Sequence, residues 1–253
     1  MKVTFLGTGT SQGIPLIGCK CVVCSSSDPK DKRLRVSVLI ETGNNHFVID
    51  TGPDFRQQML RENVTKIDAV LFTHEHKDHI AGLDDIRAYN YILKRKMDIY
   101  ASENVQNALK REFAYIFDES QYPGIPQLNL HTIENTPFKI KEISIIPIRA
   151  YHFKMPVFGF RIGDFTYITD ANLIPEKEKE KIKGSKVIVI NALRREPHIS
   201  HFTLQQAVEL MHELKPAKAY FTHISHQLGL HEVVNKELPG FIELAYDGLQ
   251  VMI

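Results

Sequence analysis

The stretch Thr73-His74-Glu75-His76-Lys77-Asp78-His79 carries four metal-ligating side chains in the spacing HxHxDH. Imidazole nitrogens and a carboxylate oxygen together suit Zn²⁺ and also accept Mn²⁺ or Fe²⁺. The preceding residues 67–72, Ile-Asp-Ala-Val-Leu-Phe, form a short apolar run that predicts a buried strand. The histidines therefore lie just past a strand end, where active sites are common. The alternative is a histidine-rich turn at the start of a helix.

Three further candidate ligands follow short β-branched or aromatic runs in the second half of the chain. They are His152, Asp170 and His223. A single histidine or aspartate at a strand end is more often a hydrogen-bonded structural residue than a ligand. From the residues alone, each of the three stays a candidate.

The HxHxDH turn, followed in order by these three residues, resembles the metallo-β-lactamase superfamily of dinuclear hydrolases. The resemblance covers nearly the whole chain and implies an α/β fold, the αββα sandwich of two mixed β-sheets flanked by helices, with residues 1–253 as a single hydrolase domain. It implies two divalent ions, Zn or Mn, and it implies that Asp50 orients a ligand histidine. The implied ligands are His74, His76 and His152 for one ion, Asp78, His79 and His223 for the other, and Asp170 as the bridge.

All three cysteines of the chain lie within one short segment, as Cys19, Cys21 and Cys24 in the spacing CxCxxC. An odd number of cysteines this close together does not suit a disulfide framework and indicates a thiolate metal site with a fourth ligand from elsewhere. His226 is the expected fourth ligand, and a closed Cys₃His site would hold a structural zinc. Three reduced thiols, or a redox-active pair, are the alternative.

The segment 8–15, Thr-Gly-Thr-Ser-Gln-Gly-Ile-Pro, precedes the cysteine turn, and His-Ile-Ser-His occupies 223–226. Together these segments resemble the superfamily branch that contains phosphoribosyl 1,2-cyclic phosphate phosphodiesterase. That branch combines a dinuclear hydrolytic centre with a separate structural zinc. The resemblance implies hydrolysis of a small cyclic phosphodiester here.

Two divalent ions lower the pKa of a shared water, so the expected nucleophile is a metal-bound hydroxide rather than a side chain. The leaving alkoxide then needs a proton. His201 is the expected donor because the family places a histidine just before the following helix, while His198 stays open as an alternative. An imidazole near its ordinary pKa of roughly 6.5 suits that task. Asp78 is expected to act both as a ligand and in proton transfer.

The composition is consistent with this interpretation but would not predict it by itself. The chain has 253 residues, 43% of them hydrophobic, and a formal net charge of +1. Near-neutral charge gives no overall bias towards nucleic acid or membrane, and the resemblance implies a small-molecule phosphodiester as the partner. We find no apolar run of membrane-spanning length and no signal peptide, and the clustered cysteines favour the cytoplasm. The sequence leaves a homodimer open.

Short β-branched or aromatic runs predict nine strands, and two amphipathic patterns predict helices after Asp54 and after Thr203. The segment 82–118 has a helical pattern, and 119–141 is expected to be a connection that contains Pro and Gly. The predicted strands are 3–6, 36–41, 46–50, 69–73, 143–147, 158–162, 165–169, 186–191 and 217–222.

Several other functions are weighed against the phosphodiesterase. A transfer-RNA 3′-processing endonuclease of the same superfamily also has HxHxDH, but no Gly/Pro-rich arm for gripping RNA is found. The pyrroloquinoline-quinone biosynthesis protein has a similar cysteine turn, yet this chain has no Trp. β-Lactamase or glyoxalase activity is opposed only by the closer resemblance. A non-catalytic metal-binding or sensing protein is the alternative from another class.

Overall fold

The computed structural model describes residues 1–118 and 124–253, which contain fourteen strands and eight α-helices. The strands are β1 (Lys2–Gly7), β2 (Ser37–Thr42), β3 (Asn45–Ile49), β4 (Ala69–Leu71), β5 (Met97–Ala101), β6 (Leu128–Thr132), β7 (Phe138–Ile140), β8 (Ile143–His152), β9 (Met155–Ile162), β10 (Phe165–Tyr167), β11 (Val187–Asn191), β12 (Lys218–Thr222), β13 (Ile242–Leu244) and β14 (Gln250–Met252). The helices are α1 (Phe55–Arg61), α2 (Lys77–Ile80), α3 (Arg87–Leu93), α4 (Glu103–Glu112), α5 (Ala114–Phe117), α6 (Glu176–Ile182), α7 (Leu204–Leu214) and α8 (His231–Glu237), with 3₁₀ turns at Pro29–Asp31 and Leu83–Ile86.

The strands form two seven-stranded mixed sheets with the same pairing pattern. The first has the order β14-β1-β2-β3-β4-β5-β6 and the second β13-β12-β11-β10-β9-β8-β7. In the first sheet β3 to β6 are parallel, and in the second β10 to β13 are parallel, while the remaining pairs are antiparallel. The carboxyl ends of parallel strands meet at one edge of each sheet, which is where such folds place ligands.

Three apolar layers hold the sandwich together. Alternate side chains of both sheets, including Phe5, Phe47, Phe160 and Tyr167, pack between the sheets with no exposed surface. The opposite faces of the strands pack against helices on either side. Burying an aromatic or aliphatic side chain of this size stabilises the fold by about 1.5–3 kcal/mol. The predicted αββα sandwich of two mixed sheets is therefore confirmed.

The nine predicted strands are all present, but five others were missed: β5, β6, β7, β13 and β14. The helical interpretation of 82–118 is wrong at Met97–Ala101, which is a strand. The connection expected at 119–141 contains β6 and β7, while residues 119–123 lie outside the described part of the chain. β8 continues five residues past its predicted end and so carries His152 to the sheet edge.

The two helix starts differ from each other. Thr203 caps α7, since its side chain accepts a hydrogen bond from the backbone N–H of Gln206, whose own side chain returns a bond to the backbone of Thr203. Asp54 does not cap α1 through its side chain, because its carboxylate accepts hydrogen bonds from the backbone and guanidinium of Arg35 instead. No helix in residues 1–118 and 124–253 is both long and apolar enough to cross a membrane.

Candidate metal centre

Asp50 anchors the turn that carries the HxHxDH motif. It follows β3 with φ at 65°, a left-handed conformation that costs free energy in a residue other than glycine. Its side chain is fully buried and accepts two hydrogen bonds of 2.8 Å from the N–H and the hydroxyl of Thr73. Its Oδ2 also lies 2.7 Å from Nδ1 of His79. One carboxylate therefore fixes both the start of the motif and its last histidine.

The backbone holds this turn close to the end of β3. The N–H of Thr51 donates to the carbonyl of His79 at 2.8 Å, and the N–H of Gly82 donates to the carbonyl of Thr51 at 2.8 Å. A Cβ built at Gly52 would lie 2.2 Å from the carbonyl oxygen of Asp78. Only glycine allows this approach, so Gly52 positions Asp78 through its backbone.

His74, His76 and His152 lie together at one side of the centre. Their ring centroids are separated by 4.7, 5.0 and 5.8 Å. His152, at the end of β8, donates from Nδ1 to the carbonyl of Ser200 at 2.9 Å, which turns its Nε2 away from that carbonyl. The structure thus brings together the three histidines that the family resemblance implied for one ion.

Asp78, His79, Asp170 and His223 form a second group, with one ligand atom from each lying within 4.8 Å of the others. Nε2 of His79 lies 3.2 Å from Asp170, and Nε2 of His223 lies 3.0 Å from it. Neither nitrogen makes a hydrogen bond of acceptable geometry, and the buried Nε2 of His74 has no partner either. Buried polar atoms are normally paired, so unpaired nitrogens converging on carboxylates fit a divalent ion.

Asp170 lies close to two groups of candidate ligands. Besides the group above, it groups with His152 and His201. It follows β10 with φ at 52°, as Asp50 follows β3, and His223 follows β12 with φ at 55°. Three residues of this centre thus adopt a strained backbone where strands end. Such strain is characteristic of functional sites, where the surrounding structure compensates for it.

The buried charges shift each other's pKa values. Burial alone would raise the pKa of Asp170, yet the imidazoles of His223 and His79 hold it well below its usual range. Burial opposes protonation of His223, but the carboxylates of Asp170 and Asp78 raise its pKa to about 9. By contrast, burial and the neighbouring His79 lower the pKa of His74 well below its ordinary value.

His201 lies between the two sides of the centre. Its ring centroid is 4.6 Å from that of His152 and 4.8 Å from that of His223, and its Nε2 is 3.1 Å from Asp170. Burial lowers its pKa to about 4, although Asp170 opposes the shift. This value lies below the ordinary pKa of roughly 6.5 because the imidazole is buried. His198 lies behind His201, with the two Nδ1 atoms 3.1 Å apart.

The three cysteines converge on His226, as the sequence predicts. Nδ1 of His226 lies 3.5, 3.3 and 3.6 Å from the sulfurs of Cys19, Cys21 and Cys24. The backbone N–H of Cys24, together with His226, lowers the pKa of Cys21 to about 6, whereas burial raises that of Cys24 to about 11. Hydrogen bonds of 2.9 and 3.0 Å between Ile224 and residues 8 and 10 bring the two segments together. Three thiols and one imidazole in this arrangement fit a tetrahedral zinc site.

Two residues that hold the proposed ligands in place were not predicted from the sequence. Thr73 bonds Asp50 and contacts Nδ1 of His74 at 3.0 Å, and its place directly before the motif was an available signal. Ser200 supports His152 through its backbone carbonyl, which any residue could provide. No sequence pattern could have identified Ser200.

Comparison with known proteins agrees with this geometry. A family model described as a β-lactamase superfamily domain matches residues 45–224. A Porphyromonas gingivalis protein named octanoyltransferase is 39% identical over 256 residues, covering 100% of this chain and 52% of that protein. The chain spans about half or less of the length of the first curated relatives it matches, with shares of 52%, 39% and 47%.

Comparison with solved structures identifies a narrower family within this superfamily. One described as a new diphosphatase from the PhnP family superposes with a TM-score of 0.94 at 41% identity, covering 100% of this chain and 97% of that one. The Zn²⁺-bound PqqB from Methylobacterium extorquens has a TM-score of 0.81 at 17% identity, covers both chains fully, and shows a shared fold. The chain therefore belongs to the β-lactamase superfamily and, within it, to the PhnP family.

Proposed function

We propose that this protein is a metal-dependent phosphodiesterase that hydrolyses a small cyclic phosphodiester such as a phosphoribosyl cyclic phosphate. The observation that carries the proposal is the position of Asp170, which groups both with Asp78, His79 and His223 and with His152 and His201. A carboxylate shared by two ligand sets is the arrangement that a two-ion hydrolytic centre requires.

In this proposal His74, His76 and His152 would hold one divalent ion, Asp78, His79 and His223 would hold the other, and Asp170 would be shared between them. When bound, such an ion pair supplies a nucleophilic hydroxide at neutral pH and neutralises the oxygens of the phosphate. The family fold implies divalent metals, and the donor set of nitrogens and carboxylates favours Zn²⁺ or Mn²⁺.

Asp50 and Thr73 orient the ligands from outside this set. The 2.7 Å contact from Asp50 to Nδ1 of His79 leaves Nε2 as the ligand atom of that histidine. The carbonyl of Ser200 does the same for His152 at 2.9 Å. Their part in the reaction is to keep the ligand histidines in one tautomer and one rotamer.

We assign protonation of the leaving alkoxide to His201 on its position, and this role requires that the negative charge of the bound phosphodiester raise the pKa of the imidazole above about 4. Its imidazole lies between His152 and His223 and is in contact with Asp170. His198 contacts His201 and not Asp170, which makes it the partner that orients His201. Asp78, close to both His79 and His223, remains the second group proposed for proton transfer.

The Cys₃His cluster is proposed to hold a structural zinc. Its four residues come from opposite ends of the chain, so an ion there would fasten the segment 19–24 to the turn after β12. This supports the proposal that residues 1–253 act as one unit. Nothing in the cluster leaves an open position for substrate.

A second candidate reaction is hydrolysis of a phosphoanhydride, because the relative with 41% identity is described as a diphosphatase. The name octanoyltransferase comes from a protein of which this chain covers 52%, and we do not extend it to this chain. Ribonuclease Z of Cyanothece is 27% identical over 168 residues, and its likeness reflects the shared fold.

The proposal is tested by comparing initial rates of the purified protein on four substrates, with and without EDTA. The substrates are phosphoribosyl 1,2-cyclic phosphate, a 2′,3′-cyclic nucleotide, an aryl phosphodiester and inorganic diphosphate. EDTA-sensitive turnover with the highest kcat/KM on the phosphoribosyl ester supports the proposal. A higher kcat/KM on diphosphate selects the second candidate, and no turnover of any of the four substrates rejects both.

A further inference from the structure

Three large apolar side chains are exposed in segments that border the metal centre. They are Phe153, Leu173 and Ile199, with 50%, 53% and 66% of their surface exposed, and we call them the apolar rim. Phe153 directly follows His152, and Ile199 precedes Ser200, whose carbonyl lies 2.9 Å from Nδ1 of His152. Exposed apolar surface that gathers in one place indicates an interaction site.

Hydrogen bonds hold the β8–β9 hairpin against the turn that follows Asp170. The N–H of Tyr151 donates to the carbonyl of Leu173, and the N–H of Asn172 donates to the carbonyl of Tyr151, both at 2.9 Å. The side-chain oxygen of Asn172 accepts a further bond of 2.7 Å from the N–H of Phe153. The hairpin and this turn therefore form one continuous surface beside the centre.

Phe153 has a strained backbone. Its φ of 58° lies in the left-handed region that favours glycine. Because His152 pairs with Met155, Phe153 and Lys154 form a two-residue hairpin loop, in which positions of positive φ usually hold Gly, Asn or Asp. Apart from glycine, Phe153 is the one apolar residue of positive φ within 1–118 and 124–253. Strain of this kind is characteristic of positions whose side chain serves function.

The exposed ring of Phe153 offers a surface for another ring. Nζ of Lys154 lies over the ring at 5.3 Å from its centroid, yet half of the surface of Phe153 stays exposed. Aromatic side chains bind other rings in offset or edge-to-face contacts, which add to the free energy gained by burying apolar area. A phosphodiester at the metal centre whose organic group extends towards the hairpin would bury this surface.

We propose that the apolar rim binds the organic group esterified to the phosphate, and that Phe153 selects groups containing a ring with an apolar face over small alkyl groups. The phosphate lies at the metal centre, and the ring lies against Phe153. The inference rests on the proposed function for the position of the phosphate. It opposes inorganic diphosphate as the substrate, because diphosphate has no apolar surface.

The test compares two diesters with one leaving group, phenyl 4-nitrophenyl phosphate and methyl 4-nitrophenyl phosphate. Since 4-nitrophenolate leaves from both, the ratio of their kcat/KM values, phenyl over methyl, reports the contact made by the retained group. In Phe153→Gly this ratio should fall about 2–10-fold from its wild-type value, mainly through KM, because an aromatic contact is lost. Phe153→Tyr keeps the ring and should keep the ratio.

The same variant tests whether the strain serves binding. Glycine fits the left-handed backbone, so Phe153→Gly should fold, with a melting temperature higher by about 2–4 °C. Lys94→Gly is the matched control, since Lys94 is exposed with φ of 49° at the end of α3. It should show the same rise and the wild-type ratio. An unchanged ratio in Phe153→Gly, an equal fall in Lys94→Gly, or a lower melting temperature in Phe153→Gly overturns the proposal.

Direct binding separates this inference from the proposed function. With Zn²⁺ supplied, calorimetric titration with phenyl phosphate should show binding at least about 2-fold weaker in Phe153→Gly than in wild type, while methyl phosphate should bind both proteins equally. If no diester is hydrolysed but this difference is found, the proposed function fails and the role of Phe153 stands. Equal binding of phenyl phosphate overturns that role.

Gel filtration of the same samples tests the other occupant of the rim, a second copy of this chain. The ratio should fall in Phe153→Gly without a change in elution volume. A wild-type dimer that dissociates in Phe153→Gly, with an unchanged ratio, would make the rim an interface between copies and overturn the proposal.

Discussion

Oδ2 of Asp50 lies 2.7 Å from Nδ1 of His79, and neither side chain has any exposed surface. The same carboxylate bonds the N–H and hydroxyl of Thr73 at 2.8 Å. Burial raises the pKa of Asp50, whereas His79 and Thr73 favour its ionised form. The carboxylates of Asp78, Asp170 and Asp50 outweigh the burial of His79 and raise its pKa well above the ordinary value.

We predict that Asp50→Asn weakens metal binding at the proposed centre by about 10–100-fold, the usual effect of removing a carboxylate behind a ligand histidine. An amide facing Nδ1 cannot fix the tautomer as the carboxylate does. Equilibrium titration with Zn²⁺ in a competing chelator measures the change. Asp98→Asn is the matched control, since Asp98 pairs with His131 at 2.9 Å where both side chains are only partly buried. Equal affinities in Asp50→Asn and wild type would refute the orienting role.

Gly52→Ala tests whether backbone packing positions the ligands. The added Cβ would lie 2.2 Å from the carbonyl oxygen of Asp78, so the turn has to move. We expect a loss of stability of at least about 1–3 kcal/mol together with weaker metal binding. Thermal unfolding and metal content of the same samples measure both. Gly43→Ala, at a position with φ of 55° but no atom within 4 Å, controls for conformational strain alone. If Gly52→Ala binds metal as tightly as wild type, backbone packing at Gly52 does not position the ligands.

Much of the proposed centre could be predicted because four of its proposed ligands lie in one short motif and the family resemblance implied the other three, His152, Asp170 and His223. His226 was predicted as the fourth ligand because it lies close in sequence to His223. The lowered pKa of His201 could not be predicted, because it depends on packing between His152 and His223, which are far apart in the chain. β13 and β14 were missed because each has only three residues and includes a polar one, Glu243 or Gln250, whereas the equally short β4 and β10 lie in longer apolar or β-branched runs.

Cys21→Ala is expected to destabilise the fold more than it affects turnover. Loss of one thiolate opens the Cys₃His cluster, and the melting temperature should fall by at least about 5 °C, since 1 kcal/mol corresponds to about 2–4 °C in a chain of this size. One zinc per chain should be lost while kcat on the best substrate stays within about 2-fold. Ser25→Ala, at an exposed position next to Cys24, is the control. Unchanged melting temperature and zinc content would exclude a structural site.

Stability should fall with acidification through His231, which lies away from the metal centre. Burial, and then the nearby Arg33 and Lys30, lower its pKa to about 4, against the opposing effect of Asp28 and Asp31. Its neutral Nδ1 accepts from the buried guanidinium of Arg33 at 3.0 Å.

The direction of this effect follows from linkage. Because the pKa of His231 is lower in the folded chain than the roughly 6.5 of an unfolded one, the unfolded chain binds more protons between those values. The contribution of His231 is therefore present above about pH 6.5 and is lost as the pH falls towards 4. Urea unfolding at several pH values should show a shallower pH dependence in His231→Asn than in wild type. His212→Asn, at an exposed position, should keep the wild-type dependence, and equal slopes in all three proteins would refute the prediction.

Asp170→Ala tests the shared carboxylate most directly. Metals per chain and turnover of phosphoribosyl 1,2-cyclic phosphate are measured in the same samples of wild type and variant. We predict three metals per chain in wild type, loss of at least one and of most turnover in the variant, and retention of the zinc at the Cys₃His cluster. Full metal occupancy in Asp170→Ala, with turnover like that of wild type, would contradict the two-ion centre built on Asp170.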